Sequence, residues 1–193
     1  MSDFHIDNIL RTYNARTASE HADGLAWYDN AHALALELSP SDVWRGAGII
    51  AAFSPLTPWN RNVSLARTLV ESNGTMTGGT LVNSINAASR IFAGEHTLDV
   101  LKGDKTRAFA SAIADPANST MATIDRHAHD IAVGSSDFND STRLIGKRVF
   151  RELSAAYVDA AFWVGIGVCQ MQAITWLTHR RIKDVWVRRD DAF

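Results

Sequence analysis

Cysteine is nearly absent: Cys169 is the only one in 193 residues. The chain therefore holds no disulfide framework, no cysteine-built zinc site and no four-cysteine iron–sulfur cluster. Proline is scarce as well, with four residues at 40, 55, 58 and 116, so long stretches are free of the residue that breaks helices. No run approaches the roughly 18 apolar residues of a membrane span, and the opening MSDFHIDNIL has neither a basic start nor an apolar signal core. No membrane partner is expected, and a reducing cytoplasm is the expected location. An excess of either charge is also missing. Nineteen Lys plus Arg stand against 21 Asp plus Glu, a formal charge of -2, so the chain as a whole lacks the positive field of an obvious nucleic-acid binder.

What is present is apolar residue at helical spacing. Hydrophobic residues make up 46% of the chain and recur at three-to-four intervals without strict alternation, which predicts an all-α fold. Length and the lack of a linker predict a single domain over 1–193, with a core about 43–134 and C-terminal helices about 141–189 packing back on it. Helices are expected over 18–38, 43–53, 60–70, 80–93, 104–114, 124–133, 141–162 and 167–180. Leu25, Tyr28, Leu34, Leu36 and Leu38 are available for burial on the first of these, and Ser41 is a candidate N-cap for the second. VWRGAGIIAAF is apolar nearly all round and should be central. SNGTMTGG reads as a loop, and the glycines of WVGIGVCQ as a helix break rather than a dinucleotide fingerprint, because no strand precedes them. Cys169 and the Trp163, Trp176 and Trp186 series are expected in the core, while Gln170 and Gln172 face either a pocket or solvent.

Two basic stretches stand out. HRRIKDVWVRR, from His179 to Arg189, holds five Arg or Lys against one Asp, and Arg143, Lys147, Arg148 and Arg151 form the other. Each is either a solvated helix face or a phosphate-binding patch. The densest ionisable cluster is TIDRHAHDIAVG, with Asp125, Arg126, His127, His129 and Asp130 within six residues. Asp at the start of a helix is favoured as a cap, so capping alone accounts for Asp125 on one reading.

In order along the chain, IIAAFSPLTPWNRNVSLARTL, LKGDKTRAFASAI and TIDRHAHDIAVG resemble the helix-hairpin-helix DNA glycosylase superfamily. There an apolar helix ends in a Ser-containing turn before an Asn- and Ala-bearing helix, a glycine hairpin follows, and a V-D-x-H segment supplies a catalytic Asp. The resemblance implies Asp125 as the catalytic carboxylate and His127 as the histidine after it. It also implies double-stranded DNA as partner and contacts from Lys105, Arg107 and Arg126, with Leu56 or Trp59 as the wedge that fills the gap left by an extruded base. Arg180, Arg181 and Lys183 would add phosphate contacts. Lys105 replaces the second hairpin glycine. Arg107 stands where bifunctional members carry a Schiff-base lysine, so the implied enzyme is a monofunctional N-glycosidic bond hydrolase, or a base-modification enzyme, needing no cofactor and no metal. The SPxxxW turn, the IDRHA segment and the QAITW helix are also similar to a protein group of actinobacterial phages, which would make the cytoplasm that of a host.

Two other readings remain open on the same residues. His129-Asp130 resembles the doublet of HD-type metal phosphohydrolases, with His96 upstream and Asp159 or Asp184 downstream as further ligands. Alternatively the cluster only caps and packs, in a non-catalytic helical protein that binds DNA or a partner.

Overall fold

The computed structural model describes residues 3–135 and 145–183, and these are all-helical: ten helices and no strand among the described residues. They are α1 (Asp3–Asn14), α2 (Ala18–Leu38), α3 (Val43–Phe53), α4 (Trp59–Glu71), α5 (Val82–Phe92), α6 (Thr97–Val100), α7 (Asp104–Ala114), α8 (Arg126–Val133), α9 (Lys147–Val164) and α10 (Val168–Ile182). They form two compact units. One is continuous, Asp29–Asp115; the other combines the described parts of Met1–Tyr28 and Pro116–Arg188.

In the continuous unit, α3 is the centre. Every residue from Gly46 to Phe53 is buried, as an all-apolar helix requires, and its neighbours are α4, α5, α6 and α7. Small residues let its neighbours approach closely: a Cβ on Gly48 would sit 2.4 Å from Thr97 Oγ1. The Thr97 hydroxyl donates to the Trp44 carbonyl at 2.8 Å, and Asn62 Nδ2 donates to the Ile50 carbonyl at 2.9 Å, pinning α6 and α4 to it. The N-cap is Asp42, whose carboxylate accepts from the Arg45 amide at 3.2 Å, and not the expected Ser41. Leu36 also departs from expectation: it is exposed, while Tyr28, Leu34 and Leu38 are buried.

The bipartite unit is built around α1, which packs on α8, α9 and α10. Helix α1 is not among the expected helices, although Ile9 and Tyr13 are buried at helical spacing. Asn8 Nδ2 donates to the Ala132 carbonyl at 3.1 Å, and His5 Nδ1 lies 2.9 Å from the same oxygen. These partners satisfy the C-terminal end of α8, which Gly134 closes in the left-handed conformation at φ +66°. Thr17 and Glu20 cap the start of α2 reciprocally: the Thr17 amide donates to Glu20 Oε2 at 2.8 Å and the Glu20 amide to Thr17 Oγ1 at 3.2 Å. Helix α9 starts at Lys147, later than the expected 141, with residues 141–144 outside those described. Trp163 at its C-terminal end is exposed, against the expectation of a core position. Trp186 lies outside the described residues.

Candidate functional site

The residues around Asp125 are set by a short non-helical stretch before α8. Ala122, Thr123 and Ile124 are buried, and the Ala122 amide donates to Ser154 Oγ on α9 at 3.0 Å. Asp125 then takes the N-cap conformation, and its Oδ1 accepts from the Ala128 amide at 2.8 Å. Asp125 is thus half-buried, with its carboxylate fixed in direction on the positive end of α8. A capping role is present. It occupies one oxygen.

Behind the cap lies a buried polar set that sequence reasoning missed. The Tyr28 hydroxyl donates to Gln172 Oε1 at 3.0 Å and lies 3.3 Å from Thr123 Oγ1, while the Tyr157 hydroxyl donates to the Ala128 carbonyl at 3.3 Å. Burial holds both phenols well above their ordinary range, and the Asp125 charge pushes the same way. Neither tyrosine supplies a proton readily. As hydrogen-bonded neutral groups they hold Thr123 and Ala128, the residues on either side of the cap. Of the two glutamines left open by the sequence, Gln172 is the buried partner of Tyr28, and Gln170 accepts from the Gly167 amide at 2.9 Å.

On the other flank, His127 and His179 bring their Nδ1 atoms within 3.4 Å, and the His127 ring meets Trp176 edge-on with centroids 6.0 Å apart. Two neutral rings suit this contact, one presenting Nδ1–H and the other a lone pair. Burial lowers His127 below the ordinary 6.5, despite the attraction of Asp125. Burial, reinforced by His127, lowers His179 to about 4. With the folded value below the unfolded one, the unfolded chain binds the extra proton as pH falls from about 6.5 to about 4. Stability is therefore greatest above 6.5 and falls through that window. Thermal melts from pH 7.5 to 4.5 should show Tm declining on acidification, with a shallower decline for His179→Asn; parallel curves would contradict the neutral pair.

The remaining expected residues are placed as follows. Arg126 is exposed at the first position of α8. Arg180 is 8% exposed, with its guanidinium 4.5 Å from the centre of the Trp176 ring, so it is not a solvated helix-face cation. Arg181 donates to Glu20 Oε1 at 2.6 Å and to the Ala15 carbonyl at 2.8 Å. Burial alone would raise the Glu20 carboxyl, but Arg181 and Thr17 together hold it below its usual value. Lys183 follows the last turn of α10. In the continuous unit, Arg107 Nη1 donates to the Leu98 carbonyl at 2.6 Å and lies 3.4 Å from the Leu101 carbonyl, bracing the turn between α6 and α7. Lys105 is half-buried on the first turn of α7, and Trp59 is half-buried at the start of α4. Leu56 is 91% exposed at φ +55°. An aliphatic residue held in the left-handed region and projecting into water is unfavourable on both counts. A depression of about 230 Å³ in this unit is lined by Asp42, Trp44, Arg45, Glu95 and His96, but Arg45 pairs with Asp42 at 3.8 Å and Glu95 pairs with Arg90.

His129 Nδ1 lies 3.2 Å from Asp130 Oδ1, and the buried Oδ2 of Asp130 has no hydrogen-bond partner among the described residues. No three His, Cys, Asp or Glu side chains among the described residues are grouped to hold a metal ion. The doublet reading thus lacks a third ligand there, and Asp184 lies outside the described residues. Cys169 is buried, as expected of a small packing residue. No single helix among the described residues is long and apolar enough to cross a membrane.

A model of a family of unknown function, DUF7178, matches residues 2–183, so the chain belongs to that family. No curated protein and no solved structure matches.

Proposed function

We propose that this chain is a DNA-binding protein of the helix-hairpin-helix glycosylase kind, a monofunctional hydrolase of the N-glycosidic bond with Asp125 as its catalytic carboxylate. The observation that carries the proposal is the setting of that carboxylate. One oxygen is anchored to the Ala128 amide, the residue is half-buried, and the segment that carries it is held from behind by the buried hydroxyls of Tyr28, beside Thr123, and of Tyr157, on the Ala128 carbonyl. A cap alone requires no such surroundings; Ser or Asn would serve.

In the proposed reaction the bond from C1′ to the base nitrogen breaks, the base leaves with its electron pair and takes up a proton, and water adds to C1′. Positive charge develops at the sugar, and a fixed carboxylate that needs no reorganisation stabilises it. With Arg107 committed to the Leu98 carbonyl and no lysine in its place, no Schiff base forms there. The product is an abasic site in an intact strand.

Leu56 supports the DNA assignment, because a side chain that projects into the stack compensates the loss of an extruded base. Its tests separate function from stability. Leu56→Ala keeps the backbone strain and should leave Tm unchanged while lowering base release. Leu56→Gly removes strain and side chain together, raising stability by up to about 1 kcal/mol while lowering base release as much as Ala. Base release unchanged in both variants would remove Leu56 from the DNA contact. The whole proposal is tested by incubating the protein with duplex phage and host DNA and measuring free base and alkali-labile sites, beside fluorescence anisotropy at rising salt. Abasic sites support it. DNA binding with no base release would leave a non-catalytic binder, and no binding at low salt would overturn both.

A further inference from the structure

Two cations of the C-terminal basic run are engaged within the fold: Arg180 is buried against Trp176, and Arg181 is paired with Glu20. The first turns of α9 differ. Lys147, Arg148 and Arg151 are all exposed, no acidic residue occupies the first turn, and two of these cations sit where the helix dipole disfavours positive charge. The nearest carboxylate in sequence, Glu152, lies 3.6 Å from His5. Along the same solvent face, spaced three and four residues apart, follow Ala155, Val158 and Phe162. Phe162 is 83% exposed, and Trp163 beside it is 74% exposed. From Arg151 to Phe162 the helix rises about 16 Å. Three cations and two bare aromatic rings therefore lie in series on one helix, opposite the face that buries Phe150, Leu153, Tyr157 and Ala161.

We infer that the solvent face of α9 binds single-stranded nucleic acid, with Lys147, Arg148 and Arg151 gripping phosphates and Phe162 and Trp163 stacking on bases. The inference rests on the proposed function for the class of partner, but on different residues. Positive charge fixes an anionic partner. Exposed ring faces select one whose bases are unstacked, since in a duplex the base faces are already covered. An anionic lipid surface fits less well. An interfacial helix inserts an apolar face and keeps its cations on the opposite one, whereas here cations and aromatics share a face and the opposite face is packed in the core.

The test uses the full chain and an oligothymidylate of about ten nucleotides, followed by tryptophan emission and by anisotropy of a labelled strand. Stacking should quench emission. Trp163→Phe should abolish most of the quench and keep affinity by anisotropy, because phenylalanine still stacks. Phe162→Ala with Trp163→Ala should weaken binding about tenfold or more. Replacing Lys147, Arg148 and Arg151 by Gln should reduce the slope of log affinity against log salt by about 2, at roughly 0.7 per phosphate contact. These side chains are exposed, so circular dichroism and Tm should not change. Absence of binding at low salt, an unaltered quench in Trp163→Phe, or binding to vesicles of anionic lipid in place of the oligonucleotide would overturn the inference. Base release with no strand binding defeats this inference alone. Strand binding with no base release defeats only the catalytic proposal.

Discussion

Asp125→Asn should abolish base release, by about a hundredfold to a thousandfold or more, while leaving DNA affinity and Tm close to those of the parent chain. The argument turns on what the substitution keeps. Asparagine presents a carbonyl oxygen where Oδ1 accepts from the Ala128 amide at 2.8 Å, and it is as good an N-cap as aspartate. The change removes the negative charge and little else. Loss of one preorganised group facing charge that develops in the transition state costs on the order of 10² to 10³ in rate. Asp125→Ala should lose the same activity and in addition about 1 kcal/mol of stability, the cost of an empty cap. Comparing the two variants separates the roles: stability follows the cap, and activity follows the charge. The measurement is alkali-labile sites per time at saturating protein, with anisotropy and thermal melts on the same preparations. Base release that survives Asp125→Asn would reduce the residue to its cap and return the chain to the class of non-catalytic binders.

Residues that owe their state to neighbours in sequence were legible. The helix over Val43–Phe53, the stop at Gly165 and the start of α8 at Asp125 each follow from apolar periodicity and a residue suited to the end of a helix. Capping is legible in kind but not always in register: Ser41 and Asp42 stand one residue apart and either side chain can accept from the first turn, and Asp42 is the one that does. Residues whose state depends on distant partners were not legible. Tyr28 meets Gln172 and His127 meets His179 across long stretches of chain, and no local pattern encodes such pairs. The same limit explains the basic run. Arg180 and Arg181 read as solvated cations until Trp176 and Glu20 are placed beside them. Trp163 failed in the opposite direction. Tryptophan is buried on average, but on α9 this one belongs to the solvent face next to the Gly165 turn.

Gly46→Ala should be among the most destabilising single methyl additions in the chain. A Cβ at Gly46 would lie 2.0 Å from the Ala35 carbonyl oxygen, 2.7 Å from its carbon and 2.9 Å from its Cα. All three are backbone atoms of α2. A side chain could rotate away; a helix backbone cannot, so the methyl fits only if α2 and α3 separate. Separation opens the contact between Gly46 and Ala35, both buried and Ala35 fully so, and leaves gaps that lose dispersion contacts. Overpacking of this kind costs about 1–3 kcal/mol where side chains can adjust, and more where backbone must move. The helix-propensity gain of alanine over glycine, about 1 kcal/mol, opposes it and is smaller. A net loss of about 3 kcal/mol would lower Tm by roughly 6–12 °C in a chain of this size. Gly24→Ala is the counterpart in the bipartite unit, meeting Ile174 Cα at 2.7 Å and its amide nitrogen at 2.8 Å, and should destabilise for the same reason. Gly78→Ala, with nothing within 4 Å, is the control and should melt with the parent. If Gly46→Ala melted with that control, the close approach of α2 to α3 would be wrong.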